Sequence, residues 1–327
     1  FRFYSSSFKK LGVIEVSMDD LSFDEHHQWA NYVKGVIQAC LERGFTLDFG
    51  FDLYIESTLP IASGLSSSAS IELLTIYICN TLYHLGLSRQ EMALLSKKVE
   101  NEYIGVSCGI MDQLIIAEGL EDQAILMNTS TLSLKPIETK LSGFTWVIMS
   151  TNYPRKMTDS KYNERYQECH NALDILKPHF GIQNLCEIHP SKLDHALSLL
   201  DDEILKKRVR HVVLEHDRTK QAYQALEQKD AQTFCQLMIE SHDSLKCEYE
   251  VSGEHLDTIV SAALQFGANG ARMTGAGFGG CAIALMASED VDRIIEQTKN
   301  KYQEITRIEP SFFKVKFVEG VREHACR

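Results

Sequence analysis

The stretch PIASGLSSSAS, residues 60–70, places a glycine- and serine-rich segment between two strongly periodic segments. Before it, residues 47–55 alternate apolar and polar side chains, which is typical of a strand with one buried face. After it, apolar residues recur every three or four positions over residues 71–85, which predicts a long amphipathic helix that ends at Gly86. A flexible linker has a similar composition, but a linker would not be flanked by such regular patterns. The stretch is therefore predicted to be a short turn between a strand and a helix.

The remainder of the chain is predicted to be rich in strands at first and rich in helices after Asp159. Short apolar runs at 124–128 and 144–151 are typical of strands. Helical periodicity then dominates to about residue 266, and two late apolar runs flank a glycine-rich turn. This order indicates an α+β fold in two lobes, over residues 1–152 and 153–327.

The charge balance argues against a nucleic-acid partner. The 327-residue chain carries 33 Lys and Arg against 45 Asp and Glu, which gives a formal net charge of −12. No apolar run is long enough to predict a membrane span, and no secretory leader is recognised. The nine cysteines are scattered without a C-x-x-C pair, which favours reduced thiols and a cytoplasmic protein over a disulfide framework.

The glycine- and serine-rich turn has the chemistry of an anion site. The first amides of a helix have no intrahelical partners, and the helix dipole adds partial positive charge there. Gly64 permits close backbone approach, and Ser66, Ser67 and Ser68 add small hydroxyl donors. These groups together predict a phosphate site. The lysine of a P-loop is missing, and so is the G-x-G-x-x-G pattern of a dinucleotide fold.

Two further stretches are weak signals when each is considered alone. GVSCGIMDQL, residues 105–114, places Asp112 ahead of an apolar run, where an aspartate can simply cap a helix. RMTGAGFGG, residues 272–280, is compatible with an ordinary hairpin that turns on glycines.

Taken together, PIASGLSSSAS, GVSCGIMDQL and RMTGAGFGGCAIAL resemble the signatures of the GHMP small-molecule kinases. Four other segments narrow the resemblance to the galactokinases within that superfamily: QWANYVKGV, DSKYNERYQEC, RVRHVVLEHDRT and ESHDSLKCEYEVS. The similarity runs from Phe1 to about Val318. It implies the family's α+β fold, with an N-terminal lobe like ribosomal protein S5, a C-terminal ferredoxin-like lobe and the active site between them.

The resemblance also implies an activity: transfer of the γ-phosphoryl group of ATP to the anomeric hydroxyl of α-D-galactose. Asp112 would accept the proton of the sugar hydroxyl, and Ser68 and Glu100 would hold Mg²⁺. Gly109 and Tyr162 would contact galactose. Without the resemblance, the favoured interpretation of Glu100 is a solvated surface residue and that of Tyr162 is a half-buried helix aromatic.

Two sets of residues are assigned by the same resemblance. The ATP-binding loop would comprise Ala62, Ser63, Gly64, Leu65, Ser66, Ser67 and Ser68. The turn that packs against the nucleotide and the sugar would comprise Gly275, Gly277, Gly279 and Gly280. The implied ligands are galactose and ATP, with Mg²⁺ as cofactor. The protein is expected to be a monomer.

The chain departs from the family pattern in one respect. Galactokinases carry the string G-R-x-N-x-I-G-E-H-x-D-Y near their start, and this sequence does not contain it. Glu25 and His26 do not replace it, because they align with the family's later NYVKGV segment. Since the string supplies an arginine at the transferred phosphate and most sugar contacts, this chain assayed alone is expected to phosphorylate galactose poorly. An inactive relative that senses sugar and ATP, and a kinase for a related sugar such as N-acetylgalactosamine, are the alternative hypotheses.

Overall fold

The computed structural model describes residues 1–59, 65–106, 108–153 and 158–324; the side chains of residues 158–160 and 162 are not among those described. The chain divides into two compact units. The first comprises Phe1–Ile61, Ser66–Pro136 and Phe317–Arg327, and the second comprises Ala62–Leu65 and Ile137–Lys316.

The first unit combines small sheets with four helices. Its three-stranded sheet has the order β2-β1-β3, in which β1 (Arg2–Ser5) pairs antiparallel with β2 (Ile14–Glu15) and parallel with β3 (Asp52–Ile55). The helices and the remaining strand pair are α1 (Ala30–Glu42), α2 (Ser67–Leu82), α3 (Arg89–Lys98), α4 (Met111–Glu118), β4 (Gln123–Asn128) and β5 (Ser133–Glu138). A π-helical turn, Val99–Ile104, continues α3.

The second unit combines a four-stranded antiparallel sheet with six helices. In chain order its elements are β6 (Phe144–Ser150), α5 (Thr158–Phe180), α6 (Leu193–Ser198), α7 (Glu203–Glu227), α8 (Ala231–Cys247), α9 (Glu254–Gln265), β7 (Gly270–Met273), β8 (Cys281–Ala287), α10 (Val291–Thr306) and β9 (Ser311–Val315). The strand order is β7-β8-β6-β9. The strand β6 therefore pairs with strands that follow it by more than a hundred residues. The lobe boundary at residue 152 stays a prediction.

Most elements of the glycine–serine region agree with the sequence prediction. The predicted amphipathic helix is α2. The helix that follows it, α3, opens with a capping box formed by Ser88 and Glu91. The strand before the turn is shorter than its alternation indicates, because β3 begins only at Asp52 and the side chain of Phe49 is 51% exposed. Alternation alone thus overestimated the paired segment.

The helix α1 buries an apolar face that includes Val33, Ile37 and Cys40, and two polar side chains are buried with it. Asn31 and Lys34 are each 1% exposed, and their polar atoms bond to the backbone oxygens of Asp24 and Ser22. These internal partners make the burial of polar groups tolerable.

A single apolar core holds the helices of the first unit together. Ile37 of α1, Leu73 of α2, Leu95 of α3 and Leu114 of α4 all belong to it and are at most 5% exposed. Because α2, α3 and α4 share this core, the starts of α2 and α4 and the end of α3 are held in one neighbourhood. Within the residues described, no helix is long and apolar enough to cross a membrane.

Candidate active site

The start of α2 is open. Ser66 precedes the helix in the left-handed conformation (φ 54°, ψ 36°), and its side chain makes no capping hydrogen bond. Ser67 is exposed, while Leu65, Ser66 and Ser68 are half-buried. The other predicted loop residues, Ala62, Ser63 and Gly64, lie outside the described residues. The side chain of the N-cap residue Ser66 therefore does not cap the first amides of α2. The use of these amides as a phosphate site stays a prediction.

Ser68, in the first turn of α2, bonds to a buried carboxylate. Its Oγ donates to Glu100 Oε1 over 2.8 Å. Two other donors reach the second oxygen, Glu100 Oε2: Gln113 Nε2 at 2.7 Å and Cys108 Sγ at 3.5 Å. Glu100 is only 9% exposed, so the solvated surface role that composition permits is not what the structure shows.

The π-helical turn explains how a glutamate from the end of α3 reaches the start of α2. The turn Val99–Ile104 widens the helix and ends at Gly105, whose φ is 84°. The backbone oxygen of Glu100 accepts from the amide of Val106 at 2.9 Å, which closes the turn. Single π-helical turns are rare and frequently lie at functional sites, because they re-aim a side chain without ending the helix.

A second glutamate, Glu72, lies in the same core. Glu72 of α2 is completely buried, and Ser96 Oγ donates to its Oε2 at 2.5 Å. Burial raises the pKa of Glu72 to about 9, and the negative charge of Glu100 adds to the increase. At neutral pH Glu72 is therefore an uncharged acid.

Asp112 is the second residue of α4, and Ile110 is at the N-cap position of that helix. Asp112 therefore does not cap the helix, which was the plainer interpretation of its position. It is half-buried, and within the described residues no hydrogen bond or ion pair engages its carboxylate. Gly109, just before the helix, is exposed, and an added Cβ there would meet nothing within 4 Å. Tyr162 lies in the first turns of α5, and its side chain is not described.

The glycine turn of the second unit joins β7 to β8, and all four of its predicted glycines have positive φ. The φ angles are 75° at Gly275, 86° at Gly277, 122° at Gly279 and 84° at Gly280. A Cβ at Gly277 would lie 2.0 Å from the backbone oxygen of Val251, which also accepts from the Phe278 amide at 2.7 Å. The turn is thus a glycine hairpin, and close backbone packing accounts for the glycine at residue 277.

Comparison with known proteins decides the family. Residues 31–119 match the family described as GHMP kinases N terminal domain, and residues 222–304 match GHMP kinases C terminal. The chain is 44% identical over 323 residues to the galactokinase of Enterococcus faecalis, covering 98% of this chain and 84% of that protein. It is 42% identical over 320 residues to the galactokinase of Staphylococcus carnosus. The chain belongs to the galactokinase family.

Solved structures agree with this assignment. The crystal structure of Lactococcus lactis galactokinase complexed with galactose matches with a TM-score of 0.92 and 42% identity, over 98% of this chain and 82% of that one. A mevalonate kinase matches with a TM-score of 0.64 at 22% identity, which shows the shared fold alone. The predicted GHMP kinase fold, with its N- and C-terminal domains, and the predicted class of ATP-dependent sugar kinase are both confirmed.

Three residues of this galactokinase-family site were not predicted from the sequence. Glu72 and Ser96 carry no motif signal that separates them from ordinary helix residues, and Gln113 lies in the stretch GVSCGIMDQL without a role assigned to it. For Gln113 a faint signal existed, because a glutamine at an inward position of an apolar helix needs a polar partner. For Glu72 the helical periodicity places it on the buried face with Ala69 and Ile76, which is unusual for a glutamate.

Proposed function

We propose that this chain transfers the γ-phosphoryl group of ATP to the anomeric hydroxyl of galactose and forms galactose 1-phosphate. The identity to galactokinases over nearly the whole chain supports this reaction. The observation that carries the proposal is the hydrogen bond from Ser68 at the open start of α2 to the buried Glu100. That bond joins an anion site to a carboxylate, and a kinase for a magnesium nucleotide requires both.

The backbone amides at the start of α2 would bind the phosphates of ATP. The helix dipole and the uncapped N–H groups favour negative charge there, and the serine hydroxyls add donors without bulk. Since phosphoryl transfer depends mainly on positioning and on electrostatic stabilisation, a rigid set of donors on a packed helix suits the reaction.

Ser68 and Glu100 would hold Mg²⁺, and their donor atoms fit this ion. A hydroxyl and a carboxylate are the hard oxygen ligands that Mg²⁺ prefers, and Mg²⁺ completes its shell with water and substrate phosphates. Within the described residues no cluster of three or more His, Cys, Asp or Glu side chains could hold a metal, which fits an ion shared with a nucleotide. When bound, Mg²⁺ would neutralise charge on the phosphates.

Asp112 would accept the proton of the sugar hydroxyl, because its carboxylate is half-buried and not engaged by described protein donors. Gly109 would leave room for the sugar, since nothing fills the space beside its Cα. Tyr162 would contact galactose, and Gly275, Gly277, Gly279 and Gly280 would pack against the nucleotide and the sugar.

The proposal is tested by measuring ADP release from MgATP with galactose, N-acetylgalactosamine and arabinose, together with calorimetric binding of MgADP and galactose. Slow galactose-dependent ADP release, as expected of a chain without the string G-R-x-N-x-I-G-E-H-x-D-Y, is the expected result, with galactose 1-phosphate identified by phosphorus NMR. Binding of both ligands without turnover for any sugar would instead favour an inactive sensor. If neither ligand binds, the kinase proposal is wrong.

A further inference from the structure

Gln113 is a buried polar residue that the proposed reaction does not use directly. It is 1% exposed, and its Nε2 donates to Glu100 Oε2 over 2.7 Å. Within the described residues its other polar atom, Oε1, is buried and has no hydrogen-bond partner. A buried amide with one strong bond and one unsatisfied oxygen is costly, so its orientation must be set by the stronger interaction.

The charge of Glu100 determines which end of the amide faces it. A carboxylate accepts hydrogen bonds only, so the NH₂ group of Gln113 can face it, whereas the amide oxygen would be repelled. The bond is charge-assisted and stronger than a neutral one.

The donors of Glu100 are divided between its two oxygens. Oε1 receives the Ser68 hydroxyl, and Oε2 receives Gln113 and, at 3.5 Å, the weaker thiol donor of Cys108. Two bonds that approach opposite oxygens fix the rotation of the carboxylate plane, which a single bond would leave free. The glutamate side chain is otherwise flexible, so its terminal torsion has a broad minimum of its own.

Gln113 lies on a helix, α4, that the apolar core holds in place. The next residue, Leu114, and Ala117 are completely buried in the core of the first unit and dock α4 without any contribution from the Gln113 amide. The amide is therefore not needed to place the helix. Asp112, the proposed base, directly precedes it on the same helical turn, so the base and the metal ligand are held from one helix start.

We propose that Gln113 is a positioning residue that holds the Glu100 carboxylate in the orientation that binds the magnesium ion of the nucleotide. This inference rests on the proposed function, because it assigns a role only toward the metal that Glu100 would hold. Groups that orient metal ligands typically contribute 10- to 100-fold to metal affinity. The loss of the Gln113 amide should therefore weaken binding of the metal complex and leave binding of the metal-free nucleotide unchanged.

The test is calorimetric titration of the parent protein and of Gln113→Met with ADP, once with excess Mg²⁺ and once with EDTA. Methionine keeps the length and volume of the side chain and removes the donor. We expect the Mg²⁺-dependent gain in ADP affinity to fall by about 10- to 100-fold, while ADP affinity in EDTA stays within about twofold. Gln113→Asn, which keeps an amide but shortens it, replaces the methionine variant if that variant does not fold.

The matched control is Asn80→Leu. Asn80 lies on α2, the helix of Ser68, and its amide bonds only to the backbone of Leu87. This variant should lose stability and keep the full Mg²⁺-dependent gain. An unchanged gain in Gln113→Met, or an equal loss of gain in Asn80→Leu, overturns the inference. A parent protein with no Mg²⁺-dependent gain would instead reject the metal site of the proposed function.

Discussion

Two helices of the first unit start with serine, and their starts are built in opposite ways. At α3, the amide of Glu91 donates to Ser88 Oγ at 3.3 Å, and the amide of Ser88 donates back to Glu91 Oε2 at 2.9 Å. At α2, Ser66 is left-handed and its side chain makes no capping bond within the described residues. One start satisfies its own amides with a capping box, and the other does not.

The difference follows from the residue three positions after the serine. Glu91 occupies that place at α3, whereas Ala69, which is 1% exposed, occupies it at α2. A glutamate there would close the start of α2 and repel a phosphate. The phosphate site proposed at α2 therefore depends as much on the absence of a capping acid at residue 69 as on the presence of donors.

The largest expected effect lies at a third helix start, that of α4, where Asp112 is neither a cap nor a partner in a capping box. Asp112→Asn should lower kcat about 10²- to 10⁴-fold in a form of the protein that turns over galactose, because general base catalysis contributes on that order. Galactose binding, measured by calorimetry, should be retained. Unchanged turnover would show that this helix start has only a structural role.

The pKa values of two acids near these helix starts are shifted in opposite directions. Their ionisation should therefore change the free energy of unfolding with pH in opposite directions. The pKa of Glu72 is raised, so the folded state holds a proton that the unfolded state releases, and stability falls as pH rises from 4.5 towards about 9. Glu72→Gln should therefore gain stability relative to the parent by at most about 1.4 kcal/mol per pH unit across that range. The measurement is urea unfolding at a series of pH values.

Glu91→Gln provides the opposite case. Chiefly because the Ser88 backbone N–H donates to it, the pKa of Glu91 is lowered. Its stabilising contribution is therefore present above its unfolded pKa and is lost as pH falls through the lower folded value. The variant should be less stable than the parent at neutral pH and equal to it in acid. Parallel pH profiles for the two glutamine variants would contradict both assignments.

A reciprocal pair of serine variants tests the comparison most directly. Ser88→Ala should lower the free energy of unfolding by about 1 kcal/mol, the usual contribution of a cap, and leave MgADP affinity unchanged. Ser68→Ala should weaken MgADP binding about 10-fold, because it removes a ligand oxygen and one donor to Glu100. Calorimetry and urea unfolding on both variants give the four values. If both variants lose stability and keep their MgADP affinity, the start of α2 has only a structural role, like that of α3.

The smallest expected effect is at Ser66. Its left-handed backbone strains a residue that carries a Cβ by about 1–2 kcal/mol, and glycine relieves this strain but is more flexible when unfolded. Ser66→Gly should therefore change the free energy of unfolding by less than about 1 kcal/mol. Ser66→Val, with a branched side chain, should be clearly destabilised. Equal stability of the glycine and valine variants would show that the left-handed geometry is not maintained in solution.

Elements in both units could be predicted from local pattern. The helix α2, the capping box of α3 and the glycine hairpin between β7 and β8 each depend on residues close together in sequence, so their signals survive without tertiary information. The helix α1 and the strand β1 were not predicted. The strand β1 gives little local signal, because it is four residues long and pairs with β3, about fifty residues later in the chain.

The family was evident in the sequence, as was the identity of the groups that would bind phosphate and metal. Those properties reside in residue types at fixed short spacings. Only the tertiary structure decided that Glu100 is buried against Ser68, that Glu72 is uncharged beside it and that Gln113 bonds to the same carboxylate. These facts depend on how the starts of α2 and α4 and the end of α3 pack in a common core. The burial of a polar or charged side chain results from this packing, and no single segment of the sequence encodes it.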